Sequence, residues 1–208
     1  IPNLFRDFSA DENNPDSYDF TFTDILIKKL IVHNCQPYFR LGVTIENFHA
    51  VKAYRIFPPG DFDKWARICE HVIRHYNEGW ANGFYYGITY WEIWNEPDNG
   101  SVIEQNAMWK GTREQYFELY RVSARHLRAC FGDSIKIGGY ASCGFYAIVE
   151  DKTAASMAMN TNVGLTDWEK RIISFVEFFK EFIDIVKKEK LPLDFFSYHS
   201  YASVPQTL

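Results

Sequence analysis

A carboxylate and an amide stand side by side in Tyr90-Trp91-Glu92-Ile93-Trp94-Asn95-Glu96-Pro97-Asp98, and their setting gives the pair a use. A carboxylic acid partly shielded from water keeps its proton to higher pH. It can protonate a leaving-group oxygen and later take a proton from water. The neighbouring amide can donate to one ligand hydroxyl and accept from another. Alone, an Asn-Glu pair reads as a solvated strand end. Here it follows Tyr90, Trp91, Ile93 and Trp94, whose side chains suit a strand covered on both faces. Pro97 stops strand pairing and biases Glu96 towards extended backbone. The expected result is a carboxylate at the C-terminal lip of a buried strand, where parallel α/β folds bind ligands.

A second strand, Leu193 to Tyr198, ends in His199-Ser200-Tyr201. His199 there is a candidate hydrogen-bond partner for a ligand or for the carboxylate. His71 and His75 lie four apart on a predicted helix, but Val72 stands where a zincin needs Glu, so they read as a solvated helix face. His49 sits in a loop on the expected ligand side. Asn99-Gly100-Ser101 matches a glycosylation acceptor, a short pattern that chance often supplies. Cys35, Cys69, Cys130 and Cys143 lack metal-ligand spacing and read as reduced core thiols rather than disulfides.

The elements that position these groups alternate. Ile1 to Phe8 reads as the end of a strand. A helix follows over roughly 22–34, with Thr21 or Thr23 as N-cap and Ile25, Leu26, Leu30 and Val32 as its apolar face. Residues 37–44 read as a buried strand interrupted by Arg40, and 45–60 as a long loop. A helix from Asp61 or Asp63 to Asn77 precedes the strand of residues 85–94. Thr112-Arg113-Glu114-Gln115 is a capping box opening the next helix. Ile135 to Gly139 reads as a short strand whose glycines admit a close approach. After a long loop, residues 140–165, Thr166-Asp167-Trp168-Glu169 opens a last helix to Lys190. Every crossover is long enough for a βαβ unit, so the chain reads as one α/β domain of parallel strands, residues 1–208.

Composition bounds the partners. A net charge of −5 argues against nucleic acid, which wants a basic face. No 18-residue apolar run predicts a membrane span, and no signal peptide is visible at the start. Aromatic residues make up 18% of the chain and serve both cores and sugar stacking.

Trp94-Asn95-Glu96-Pro97 resembles the strand-four signature of the glycoside hydrolases of clan A, and the stretch from Glu92 to Asp98 is most similar to family 39, the β-xylosidase and α-iduronidase family. The resemblance implies a (β/α)8 TIM barrel and a retaining, two-carboxylate mechanism without metal or cofactor. It makes Glu96 the general acid/base and Asn95 a partner of the sugar 2-hydroxyl. Phe195 to Tyr201 resembles the family's strand six, which implies that His199 and Tyr201 bind substrate. The nucleophile is then expected on a Glu at the end of strand seven, past Leu208. The chain would hold only the middle of the barrel, strands two to six, since a full one takes about 250 residues. Two readings stand beside this one: a carbohydrate-binding barrel without turnover, and a clan A enzyme acting on glucans or arabinosides. The chain departs from the family pattern at Pro2, near a usual strand-two His, and at Arg40, where strand three usually carries Glu. An Arg there either favours an acidic sugar or pairs with Glu92 on the adjacent strand; pairing is the expectation, because neither charge is then buried alone.

Overall fold

The computed structural model describes residues 3–47, 51–144 and 167–200. Its frame is a parallel sheet of four strands: β1 (Tyr38–Leu41), β4 (Tyr90–Ile93), β5 (Lys136–Ser142) and β6 (Phe195–Tyr198), in the order β1-β4-β5-β6. The helices α2 (Phe62–Asn77), α3 (Arg113–Phe131) and α4 (Asp167–Glu189) make the crossovers, and α1 (Thr21–Val32) precedes β1. This is a segment of a (β/α)8 barrel.

The alternation of each strand sorts its residues between two sides. Phe39, Leu41, Trp91, Ile93 and Ile137 enter the core shared with the helices. Tyr38, Arg40, Tyr90 and Glu92 share the other side, with Tyr38 opposite Tyr90 and Arg40 opposite Glu92. The aromatic content goes largely to the core: Trp65, Trp91, Trp94 and Trp109 are all buried. Phe39 meets Trp91 at 4.9 Å, and Trp94 meets Trp109 edge to face at 4.9 Å. Among the described residues no helix is long and apolar enough to cross a membrane.

Local chemistry accounts for the helix starts. The Asp61 side chain accepts from the Lys64 N–H, and Thr112 and Gln115 close both arms of the predicted capping box. Helix α1 departs from expectation at both its cap and its face. Its N-cap is Phe20, which makes no side-chain cap bond; Asp19 accepts from the Thr21 N–H instead. Ile27 is buried, with Leu30 and Ile31 beside the core, whereas Ile25, Leu26 and Val32 are exposed. The i, i+3, i+4 set that faces the sheet is thus 27, 30 and 31.

Four further expectations are corrected. Residues 3–8 form turns, not a strand: Leu4 O accepts from the Asp19 N–H, so the described sheet has four parallel strands rather than five. The presumed loop after β1 contains an antiparallel hairpin, β2 (Thr44–Asn47) with β3 (Val51–Tyr54). Strand β4 starts at Tyr90 rather than near 85, because the C-terminal turn of α2 captures the preceding segment: Phe84 and Tyr86 donate to the carbonyls of His75 and Tyr76. Strand β5 runs past Gly139 to Ser142. Its Gly138 is needed for close approach, since a Cβ there would lie 2.3 Å from the Phe195 carbonyl oxygen on β6.

Candidate active site

The lip of β4 is built by a break in strand alternation. Regular alternation would turn Trp94 away from Ile93. Trp94 instead takes left-handed backbone, φ 71°, so both side chains stay in the helix-side core. Its indole N–H donates to Met108 O at 3.0 Å, and its ring faces Trp65 of α2. Gly42 lets the end of β1 pass close by: a Cβ would lie 2.9 Å from the Trp94 Cα. Glu96 is also left-handed, φ 46°, so Pro97 does not hold it extended as expected. Its N–H donates to Tyr140 O at 3.1 Å. Two non-glycine residues with positive φ within three positions store strain that the surrounding contacts must hold.

The strain delivers Glu96 to a partly closed site, where it is 7% exposed. One carboxylate oxygen, Oε1, lies 2.6 Å from His199 Nδ1. The other, Oε2, accepts from Asn99 Nδ2 at 2.7 Å, and Arg171 donates to Asn99 Oδ1 at 3.0 Å. His199 comes from the end of β6. A register shift in β5 between Gly139 and Ser142 brings the Ser142 carbonyl to accept the His199 N–H at 2.8 Å. Asn95 is buried beside Glu96, and its Oδ1 has no hydrogen-bond partner among the described residues. Such an orphaned acceptor costs on the order of 1–3 kcal/mol unless a ligand donor reaches it.

Arg40 and Glu92 form the expected ion pair across β1 and β4. Glu92 is 1% exposed and also accepts from the Tyr38 hydroxyl at 3.1 Å. Burial and the Glu92 carboxylate push the Tyr38 hydroxyl above its ordinary range. The second arm of the Arg40 guanidinium lies 3.0 Å from His199 Nε2.

Of the expected site residues, the fold brings together Asn95, Glu96 and His199. Tyr201 and His49 lie outside the described residues. Asn99 was visible in the sequence only as a glycosylation acceptor, but its amide is engaged by Glu96 and Arg171. Nothing local distinguishes Arg171, which sits on α4 and reaches the lip through the fold. The pair His71 and His75 is not a solvated face. His75 is buried, stacked 3.6 Å from the Phe20 ring and bonded to Asp24 and the Trp80 carbonyl; His71 packs against Trp80. The four thiols are free, but Cys35 is exposed beyond α1 rather than in the core. Glu70, His126 and Cys130 gather between α2 and α3, where the Glu70 carboxylate is taken up by Arg74 and His126. An apolar cavity of about 330 Å³, lined by Phe5, Phe8, Phe57, Trp65 and Trp94 among others, contains none of the lip's carboxylates.

Asp98 completes the lip from below. It is 2% exposed and accepts from Ser142 Oγ at 2.5 Å and from the Cys143 N–H at 3.1 Å. Burial pushes its carboxyl up to about 6; the Glu96 charge adds to this, and the two hydrogen bonds oppose it. The native state therefore binds this proton more tightly than the unfolded chain does. The resulting stability is complete below about pH 4 and is lost as pH rises through about 6. Asp98→Asn removes that dependence. The gap in unfolding free energy between the variant and the natural protein is expected to shift in the variant's favour by on the order of 3 kcal/mol between about pH 4 and pH 7. Denaturant titrations across that window measure it, and a constant gap would mean that Asp98 gains no proton on folding.

Residues 3–207 match the profile of the glycosyl hydrolases family 39. The chain belongs to that family. It is 25% identical over 212 residues to a beta-xylosidase of Geobacillus stearothermophilus, an alignment covering 96% of this chain and 34% of the relative. A beta-xylosidase of Caldicellulosiruptor saccharolyticus is 26% identical over 136 residues, 61% of this chain and 26% of the relative. This family 39 chain thus spans about a third or less of the curated relatives it matches. Among solved structures, a glucosidase from Croceicoccus marinus superposes with a TM-score of 0.69 at 27% identity, covering 94% of this chain and 32% of that one. A family 39 enzyme from Xanthomonas axonopodis pv. citri, at 22% identity and a TM-score of 0.56, covers 88% of this chain and 30% of its own, and shares the fold.

Proposed function

We propose that this chain carries the acid/base half of a retaining glycoside hydrolase acting on β-xylosides. The observation that carries the reading is the state of Glu96. It stands at the C-terminal lip of a parallel strand, nearly closed off from water, with a hydrogen-bond partner at each oxygen. A carboxyl so held can protonate a departing glycosidic oxygen and then deprotonate the water that replaces it. Asn95 Oδ1, without a partner among the described residues, is an acceptor for a sugar hydroxyl beside it. Arg40 does not fit the role of receptor for an acidic sugar, because its guanidinium is taken up by Glu92 and His199. The xyloside preference rests on the curated relatives, which are beta-xylosidases. The second carboxylate of the mechanism is assigned, by the family resemblance, to a strand outside these 208 residues.

The test is covalent trapping in the full protein. An activated 2-deoxy-2-fluoro xyloside slows breakdown of the glycosyl-enzyme. Mass spectrometry is expected to show one added sugar, on a peptide other than that of Glu96. Natural turnover is expected to release the sugar with its anomeric configuration retained. Inverted product would remove the double displacement, and sugar binding without turnover would favour the non-catalytic barrel. A parallel panel of aryl glucosides and arabinosides decides the sugar.

A further inference from the structure

The hydrogen bonds across the lip begin and end on arginines, and this fixes the direction of each. Guanidinium has five N–H donors and no acceptor. His199 Nε2, 3.0 Å from an Arg40 N–H, must therefore be the accepting nitrogen. In a neutral imidazole the one remaining proton is then on Nδ1, which donates to Glu96 Oε1. At the other end Arg171 faces Asn99 Oδ1, so the Asn99 amide nitrogen donates to Glu96 Oε2. Both neighbours of Glu96 are donors towards it.

We infer that Arg40 is a positioning residue, which by occupying His199 Nε2 leaves His199 only a donor towards Glu96 and keeps the proton of Glu96 from passing to it. This deepens the acid/base reading and rests on it. A proton on Glu96 finds no acceptor in His199 or Asn99. The O–H is left for a ligand oxygen on the open side of the carboxyl. With Nε2 released, His199 can hold protons on both nitrogens. In the tautomer protonated at Nε2, Nδ1 is bare, and the proton on Glu96 Oε1 would then move to it, leaving a carboxylate beside an imidazolium. Each such transfer removes one acid from the population able to protonate a leaving group. Glu92 anchors the device, since it holds the other arm of Arg40 in place. The role comes from a pairing across the sheet that has no counterpart in the Asn-Glu-Pro stretch itself.

The experiment uses full protein labelled with 15N-histidine, with the His199 signals identified by their loss in His199→Asn. Near pH 6.5, where an ordinary imidazole is about half protonated, the natural protein is expected to show His199 protonated at Nδ1 and bare at Nε2. The variant Arg40→Met/Glu92→Gln removes the arginine together with the buried charge it neutralises, which protects folding. Its Nε2 is expected to become protonated. Arg40→Lys supplies another donor-only cation and is expected to return Nε2 to an acceptor. In kinetics, the double variant is expected to lose about tenfold more kcat/KM on glycosides with poor leaving groups than on activated ones, with Lys recovering most of it. A protonated Nε2 in the natural protein overturns the inference, even if no variant folds. So does an Nε2 unchanged in the double variant, or an equal loss on both substrate types. If the protein cleaves no glycoside, the acid/base reading fails, while the nitrogen signals still decide what Arg40 does to His199.

Discussion

Glu96→Gln is expected to lower kcat/KM on glycosides with alkoxide leaving groups by roughly 10²–10⁴-fold, the range for loss of a positioned general acid. Dinitrophenyl glycosides depart without protonation, so their first step is spared and their glycosyl-enzyme accumulates. The leaving-group dependence of the rate is therefore the measurement, steep in the variant and shallow in the natural protein. Glutamine also changes the hydrogen bonding. His199 Nδ1 and Asn99 Nδ2 both donate towards position 96, and an amide offers them one oxygen and one N–H. One donor then meets a donor, which costs on the order of 1–3 kcal/mol. Glu96→Ala avoids that clash and serves as the control: azide can enter the vacated space and attack the glycosyl-enzyme, giving a glycosyl azide. Small and equal losses on all leaving groups in both variants would show that Glu96 only positions other groups.

What the sequence made legible, and what it hid, follows from the range of each interaction. The capping box of α3 and the Asp61 cap of α2 are contacts within four residues, and both stand where their signatures lie. The Arg40–Glu92 pair was also legible, because each charge interrupts an otherwise apolar strand and adjacent parallel strands offer a register that joins them. The left-handed turns at Trp94 and Glu96 were not. Glu96 runs against the preference of the residue before a proline, and contacts with Met108, Trp65 and Tyr140 hold the two turns. His75 reads as polar by type, yet Phe20 and Asp24, more than 50 residues away, make its buried place. The β2–β3 hairpin lacks a strong turn signal, and residues 48–50 between its strands lie outside the described residues. Asn99 carried the wrong signal: its short motif pointed outward to a glycan while the fold turned its amide inward to Glu96.

The largest expected stability effect belongs to the same cross-strand pair. Arg40→Ala is expected to destabilise the protein by about 3–5 kcal/mol, because it leaves a buried carboxylate without its counter-charge. The two partners are not equivalent. The Arg40 side chain is 31% exposed and Glu92 is 1% exposed, so a deserted arginine can draw on water and a deserted glutamate cannot. Tyr38 still donates to Glu92 after Arg40 is gone, but one neutral hydroxyl does not offset a buried charge. Glu92→Gln removes the charge itself and keeps an acceptor for Tyr38, so it is expected to cost only about 1 kcal/mol. The double variant Arg40→Met/Glu92→Gln should recover most of the loss of Arg40→Ala. Denaturant unfolding of the four proteins measures this. Equal losses for Arg40→Ala and Glu92→Gln would mean that mutual attraction, not the burial of Glu92, governs the pair, and the double variant would then recover nothing. The recovery also bears on chemistry: a double variant as stable as the natural protein, yet poor on difficult leaving groups, separates the part Arg40 plays towards His199 from the part it plays in holding the sheet together.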